Sequence, residues 1–193
     1  MMKNIAVFAS GNGTNAENLI RFFNKEESLM RVTLVVTNRL TAGVRERAAD
    51  LGVSCLYIPK EMWKEGTEIR RCLWERGIDF IVLAGFLVRI PDILIEAYPQ
   101  RIVNIHPALL PKFGGKGMYG DHVHRAVVEA GETESGITIH YINEHYDEGT
   151  IIAQFRCPVY PADTPDDVAR RVHALEYEHY PQVVARLVGA LQE

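Results

Sequence analysis

The chain has 193 residues, 47% of them hydrophobic and 24% charged, with a net charge of −4. That length suits one domain, residues 1–193, able to bury a full core without staples. The scattered basic residues argue against a nucleic-acid surface, and no apolar run approaches the roughly 20 residues that span a bilayer.

The three cysteines, Cys55, Cys72 and Cys157, are far apart and form no CxxC pair. Neither a disulfide framework nor a thiolate zinc site is supported, and a reducing, cytoplasmic setting is expected. The start, Met1-Met2-Lys3-Asn4, runs directly into a strand pattern without signal-peptide architecture.

Asn4 to Ala9 reads as a buried strand, followed by the loop Ser10-Gly11-Asn12-Gly13-Thr14-Asn15 and a helical apolar pattern over Ala16 to Phe23. Val32 to Thr37 is a second strand, and Ala42 to Leu51 a helix that Gly52 ends. Val53 to Ile58 and Phe80 to Ala84 are further strands, with one charged helix expected between them from about Lys60 to Arg76. Arg101 to Ile105 is the fifth strand. This alternation predicts an α/β fold with a doubly wound, mostly parallel sheet of the Rossmann-like kind.

The pattern then changes. Gly136 to Ile142 and Thr150 to Val159 read as two strands joined by a short segment, an antiparallel pair added to the parallel part. From Thr164 onward the chain reads as one long helix, opened by Pro165 and Asp166 and bent near Pro181.

The glycine loop joins the first strand to the first helix. Exposed backbone amides and the positive end of a helix dipole make an anion site there. A dinucleotide fingerprint would need an acidic residue at the tip of the second strand, which ends instead in Val36-Thr37-Asn38-Arg39. The loop has no lysine, so a Walker motif is excluded as well. A monophosphate or ribose phosphate fits better than a dinucleotide or ATP.

The segment Val103-Asn104-Ile105-His106-Pro107 carries the chemistry. Alternation puts Asn104 and His106 on one face of a strand, about 6.5–7 Å apart along the backbone. Pro107 ends the strand and leaves the histidine at its exit, where open α/β sheets place their sites. An amide donor beside an imidazole suits a carbonyl being polarised while a proton moves. The best carboxylate to orient the imidazole is Asp147, before the flexible Gly149, with Glu144 and Glu148 as alternatives. Singly, a histidine at a strand end and an aspartate in a turn are ordinary structural residues. The combination with Asn104 and the glycine loop is what favours a site.

These residues resemble the phosphoribosylglycinamide formyltransferases, the folate-dependent enzymes of purine synthesis, over essentially the whole chain. The motifs are Ile5 to Asn15, Leu83-Ala84-Gly85-Phe86, Asn104-Ile105-His106-Pro107 with Leu109-Leu110-Pro111, and Asp147-Glu148-Gly149. The resemblance implies that Asn104, His106 and Asp147 are catalytic. It implies that Asn12, Gly13, Thr14 and Asn15 hold the substrate phosphate, with His173 able to reach it and Glu176 binding ribose hydroxyls. Leu87, Val88, Arg89 and Ile90, with Asn104, would line the folate pocket. Val88 stands where relatives carry a basic residue, which would move a folate contact to Arg89 or remove it. Lys60 and Lys64 are weak candidates for the folate's glutamate tail. The glycine-rich segment from Lys112 to Gly120 suits a mobile lid.

The implied reaction takes 10-formyltetrahydrofolate as co-substrate and 5-phosphoribosylglycinamide (GAR) as acceptor, with no metal, no nucleic acid and no membrane, and it allows an oligomer. Asp147 would raise the His106 pKa by favouring imidazolium. The rivals are another formyl-folate enzyme, such as a deformylase, a non-catalytic nucleotide-binding module, and a metal-dependent hydrolase built on His106, His122, His124, His140, His145 and Asp147. In the last, His122 and His124 would be a zinc-binding pair.

Overall fold

The computed structural model describes residues 2–191. Seven strands lie in the order β3-β2-β1-β4-β5-β6-β7. They are β1 (Lys3–Phe8), β2 (Met30–Thr37), β3 (Ser54–Tyr57), β4 (Ile78–Leu83), β5 (Ile102–His106), β6 (Glu134–Tyr141) and β7 (Ile151–Pro158). The chain groups into two compact units, one reaching to Val103 and including the segment from Val184 on, the other Asn104–Val183.

In the first unit β1 pairs in parallel with both β2 and β4, and β2 with β3. Ile5 to Ala9 are wholly buried, as a strand covered on both faces of a parallel sheet must be. Helix α1 (Thr14–Phe23) buries Ala16, Leu19, Ile20 and Phe23, an i, i+3, i+4, i+7 stripe. Helix α2 (Val44–Asp50) is closed by Gly52, whose φ of 68° favours glycine and whose N–H caps the Ala49 carbonyl.

One expectation fails in this unit. The charged stretch from Lys60 to Arg76 is two pieces, a short 3-10 turn at Lys60–Trp63 and α3 (Thr67–Glu75). Gly66 separates them at φ 74°, with Pro91 so close that a Cβ would meet it at 2.7 Å. A continuous helix would need that glycine in the right-handed region. Helix α4 (Asp92–Ala97) is too short to show a periodicity in sequence.

In the second unit β6 and β7 pair antiparallel, with Ile137 opposite Phe155 and Ile139 opposite Ala153. This is the hairpin-like pair expected from the pattern. Helix α5 (Asp121–Glu129) precedes them, and the long helix α6 is unbroken from Pro165 to Gly189 with Pro181 inside it. Thr164 opens α6, its Oγ1 accepting from the Asp167 N–H at 3.3 Å while Asp167 accepts from the Thr164 N–H at 3.0 Å. Among the described residues no helix is long and apolar enough to cross a membrane.

Candidate active site

β5 ends at His106, where Pro107 halts the ladder. Both Asn104 and His106 belong to the second unit, and so do their partners. His106 is 3% exposed, and its Nε2 donates to the Phe113 carbonyl at 2.7 Å. A carbonyl can only accept, so the proton of the neutral ring sits on Nε2 and Nδ1 carries the free lone pair. That Nδ1 stands 3.6 Å from Oδ2 of Asp147. Proton uptake at Nδ1 would therefore create an ion pair with a carboxylate already in place.

Asp147 is fixed from several sides. Its Oδ2 accepts the Gly115 N–H at 2.9 Å, and its Oδ1 lies 3.7 Å from Nε2 of His140. Its backbone has φ 56°, and Phe113 has the same φ. Non-glycine residues in the left-handed region are uncommon and cluster where geometry is held for function. Gly149, two residues on, passes so close to the Tyr141 carbonyl that a Cβ would lie 1.7 Å from that oxygen. The tight turn that presents Asp147 thus requires glycine at 149.

His140, fully buried on β6, joins the group. Its Nδ1 donates to the Tyr141 carbonyl at 2.9 Å, so its Nε2 accepts from the Asn104 amide at 3.3 Å. The amide nitrogen of Asn104 has two hydrogens, and His140 engages one. Sequence reasoning placed His140 only among metal ligands; its place beside Asn104 follows from strand pairing, which a single sequence does not display.

Burial pushes the His106 pKa below the ordinary imidazole value, against the pull of Asp147 and of the Phe113 carbonyl. The expected raising by Asp147 is real but outweighed, so the ring starts neutral. For Asp147 burial pushes upward, yet His140, His106 and the Gly115 N–H together hold its carboxyl below the usual range. An ionised acid facing a neutral imidazole is a proton acceptor prepared for charge.

Still in the second unit, α6 brings His173 and Glu176 together, with Nδ1 to Oε2 at 2.9 Å. Glu176 is 5% exposed and holds the His173 pKa above its ordinary value. His124 on α5 is buried with its ring centroid 6.0 Å from that of His173. His122 is exposed, its ring against Tyr119 instead. Residues two apart on a helix face different ways, so these two imidazoles form no zinc pair. Among the described residues no three His, Cys, Asp or Glu side chains stand close enough to share a metal.

The first unit holds the other residues implied by the resemblance. Asn12, Gly13, Thr14 and Asn15 form the turn from β1 into α1, with Gly13 at φ 80°. Leu87, Val88, Arg89 and Ile90 form an irregular stretch after β4. The two are tied together, because Ser10 Oγ accepts the Leu87 N–H at 2.9 Å and donates to Asn38 Oδ1 at 2.5 Å. Phe86 packs on Trp63 and Phe8, with centroids 4.6 and 5.5 Å apart, anchoring the start of the stretch. Ile90 is buried, and Arg89 reaches Asp92 at 2.6 Å.

In the second unit an imidazole, a carboxylate and a carboxamide gather at the exit of β5, the arrangement expected of a candidate active site in an α/β fold. The chain belongs to the formyl transferase family, whose model matches residues 3–184. It is 34% identical to the phosphoribosylglycinamide formyltransferase of Bacillus subtilis (strain 168), over 97% of this chain and 96% of that one. It is 43% identical to the chloroplastic phosphoribosylglycinamide formyltransferase of Arabidopsis thaliana over 96% of its own length. It spans 65% of that plant protein and 61% of the one from Vigna unguiculata. Among solved structures, glycinamide ribonucleotide transformylase 1 from Geobacillus kaustophilus superposes with a TM-score of 0.88 at 38% identity, covering 98% of this chain and 100% of that one.

Proposed function

We propose that this protein transfers the formyl group of 10-formyltetrahydrofolate to the primary amine of GAR, giving formyl-GAR and tetrahydrofolate. The observation that carries the reading is the placement of His106 Nδ1 against Asp147 with Asn104 on the same strand. Relatives at 34–43% identity bear the name of this activity.

The acceptor amine attacks the formyl carbon, a C–N bond forms, and the carbonyl π electrons move to oxygen. The Asn104 N–H not engaged by His140 stabilises that oxyanion as it develops. His106 takes the proton from the attacking amine, and the Asp147 carboxylate stabilises the imidazolium. The intermediate collapses, the bond to folate nitrogen breaks, and that nitrogen recovers the proton. For Nε2 of His106 to take the amine proton, the Phe113 carbonyl must give way and the ring proton must move to Nδ1 beside Asp147, which assigns the 112–120 segment the part of a lid. Fixing both substrates in register supplies much of the rate.

In this reading the role of holding the acceptor phosphate falls to Asn12, Gly13, Thr14 and Asn15 in the first unit, and that of binding ribose hydroxyls to Glu176, with His173 beside it, in the second. Leu87, Val88, Arg89 and Ile90 meet the folate mainly through backbone, since Ile90 is buried and Arg89 is paired. The whole chain acts as one catalytic domain on small molecules without nucleic acid, in the cytoplasm, and an oligomer is compatible with it. The test is purified protein with 10-formyltetrahydrofolate, with and without GAR, following tetrahydrofolate release. Release that depends on GAR supports the reading; formate released equally without an acceptor identifies a deformylase instead.

A further inference from the structure

The glycine loop is gripped from the side by α2. Arg47 Nε donates to the backbone carbonyl of Asn12 at 2.8 Å, and its Nη2 donates to Asn12 Oδ1 at 3.2 Å. Its Nη1 pairs with Glu17 on the first turn of α1. The Val44 N–H donates to the Gly11 carbonyl at 3.2 Å. Packing is tight as well: a Cβ on Gly13 would lie 2.5 Å from Val44, and one on Gly43 would lie 2.9 Å from Asn12 Oδ1.

A single half-buried surface ion pair such as Arg47–Glu17 contributes little by itself. The bond to the Asn12 carbonyl is different in kind, because of peptide geometry. In a trans peptide the carbonyl of Asn12 and the N–H of Gly13 share one plane and point in opposite directions. Holding the carbonyl toward Arg47 therefore aims the Gly13 N–H away from Arg47. The next peptide is fixed too, since the Gly13 carbonyl accepts the Glu17 N–H at 2.9 Å as the first bond of α1.

We propose that Arg47 is a positioning residue for the acceptor's phosphate, setting affinity for a phosphorylated substrate by orienting the Asn12–Gly13 peptide without touching the ligand. This rests on the reading of the loop as the phosphate seat. A guanidinium fork spans the two Asn12 oxygens, which a lysine ammonium cannot do in fixed geometry. The fork, rather than the charge, is the device.

The test compares wild type with Arg47→Lys, Arg47→Ala and Glu17→Gln in two measurements. One is calorimetric titration with inorganic phosphate; the other is steady-state kinetics with GAR and 10-formyltetrahydrofolate. Arg47→Lys and Arg47→Ala are expected to weaken phosphate binding and raise the GAR KM about tenfold, leaving kcat and the folate KM within about twofold. Glu17→Gln, which keeps both Asn12 bonds, is expected to stay within about twofold throughout. The proposal is overturned if Arg47→Lys binds phosphate as tightly as wild type, or if kcat and both KM values change in step. Failure of wild type to bind phosphate at all also overturns it. If wild type binds phosphate and Arg47→Lys weakens it, yet GAR is not formylated, the positioning role stands and the acceptor assignment falls.

Discussion

His106 faces Asp147 through Nδ1 at 3.6 Å while its other nitrogen is committed to the Phe113 carbonyl at 2.7 Å. The ring can satisfy both neighbours only by taking a second proton, and burial holds it back from doing so at rest. That tension is what suits it to accept a proton during the reaction and return it afterwards.

Asp147 sets the direction in which the His106 titration moves when the carboxylate is removed. The carboxylate raises the His106 pKa, so Asp147→Asn lowers it further below the ordinary value. Activity that needs the neutral ring is lost as pH falls through that pKa. The acid limb of kcat/KM is therefore expected to move to lower pH in the variant, while the plateau drops because the imidazolium has lost its partner. A pH–rate profile checks both, and an acid limb that stays in place would assign it to another group.

His140 is expected to act through Asn104. Its Nε2 holds one hydrogen of the Asn104 amide, and its own Nδ1–H is anchored on Tyr141. His140→Ala should lower kcat roughly tenfold or more, and Asn104→Ala should cost about 10²–10³. The double variant should lose less than the two single losses multiplied together, because the two residues are coupled through that hydrogen bond. Additive losses would mean that His140 works independently.

Gly149→Ala should damage the fold and not merely the chemistry. A methyl there would lie 1.7 Å from the Tyr141 carbonyl oxygen and 3.4 Å from Nδ1 of His140. Overpacking of this kind costs about 2 kcal/mol or more. Urea unfolding is expected to show a lower midpoint with an unchanged slope. A midpoint equal to that of wild type would show that the turn has room to relax.

Acid stability should depend on Asp163. Its carboxylate takes both arms of Arg171, at 2.5 and 2.7 Å, and the Tyr160 N–H at 2.7 Å. The Arg171 guanidinium holds its pKa down at about 2, below an ordinary 3.8. A depressed carboxylate stabilises fully above the unfolded value, and the benefit disappears as pH falls from near 4 through 2. Asp163→Asn should therefore melt below wild type at neutral pH, with the gap closing at pH 2. A gap that persists at pH 2 would point to packing.

The doubly wound core was legible because parallel strands buried on both faces read as apolar runs such as Ile5 to Ala9. The hairpin-like pair and the long last helix were legible from alternation and from the Thr164–Pro165 opening. What failed was local: Gly66 breaks a stretch whose charge pattern is helical on both sides. At the site, Asn104 and His106 were visible as alternating residues on one strand, and Asp147 as an acid beside a flexible glycine. His140 was not, because its meeting with Asn104 depends on which strands are neighbours. Nor was the lowered His106 pKa, since burial depends on everything packed around the ring.

The most direct measurement is single-turnover transfer of a labelled formyl group from 10-formyltetrahydrofolate to GAR by wild type, Asn104→Ala and His106→Ala. Wild type is expected to give labelled formyl-GAR, and each variant to be slower by about 10²–10³ while keeping its fold by circular dichroism. Equal rates in all three, or label recovered only as formate, would contradict the account.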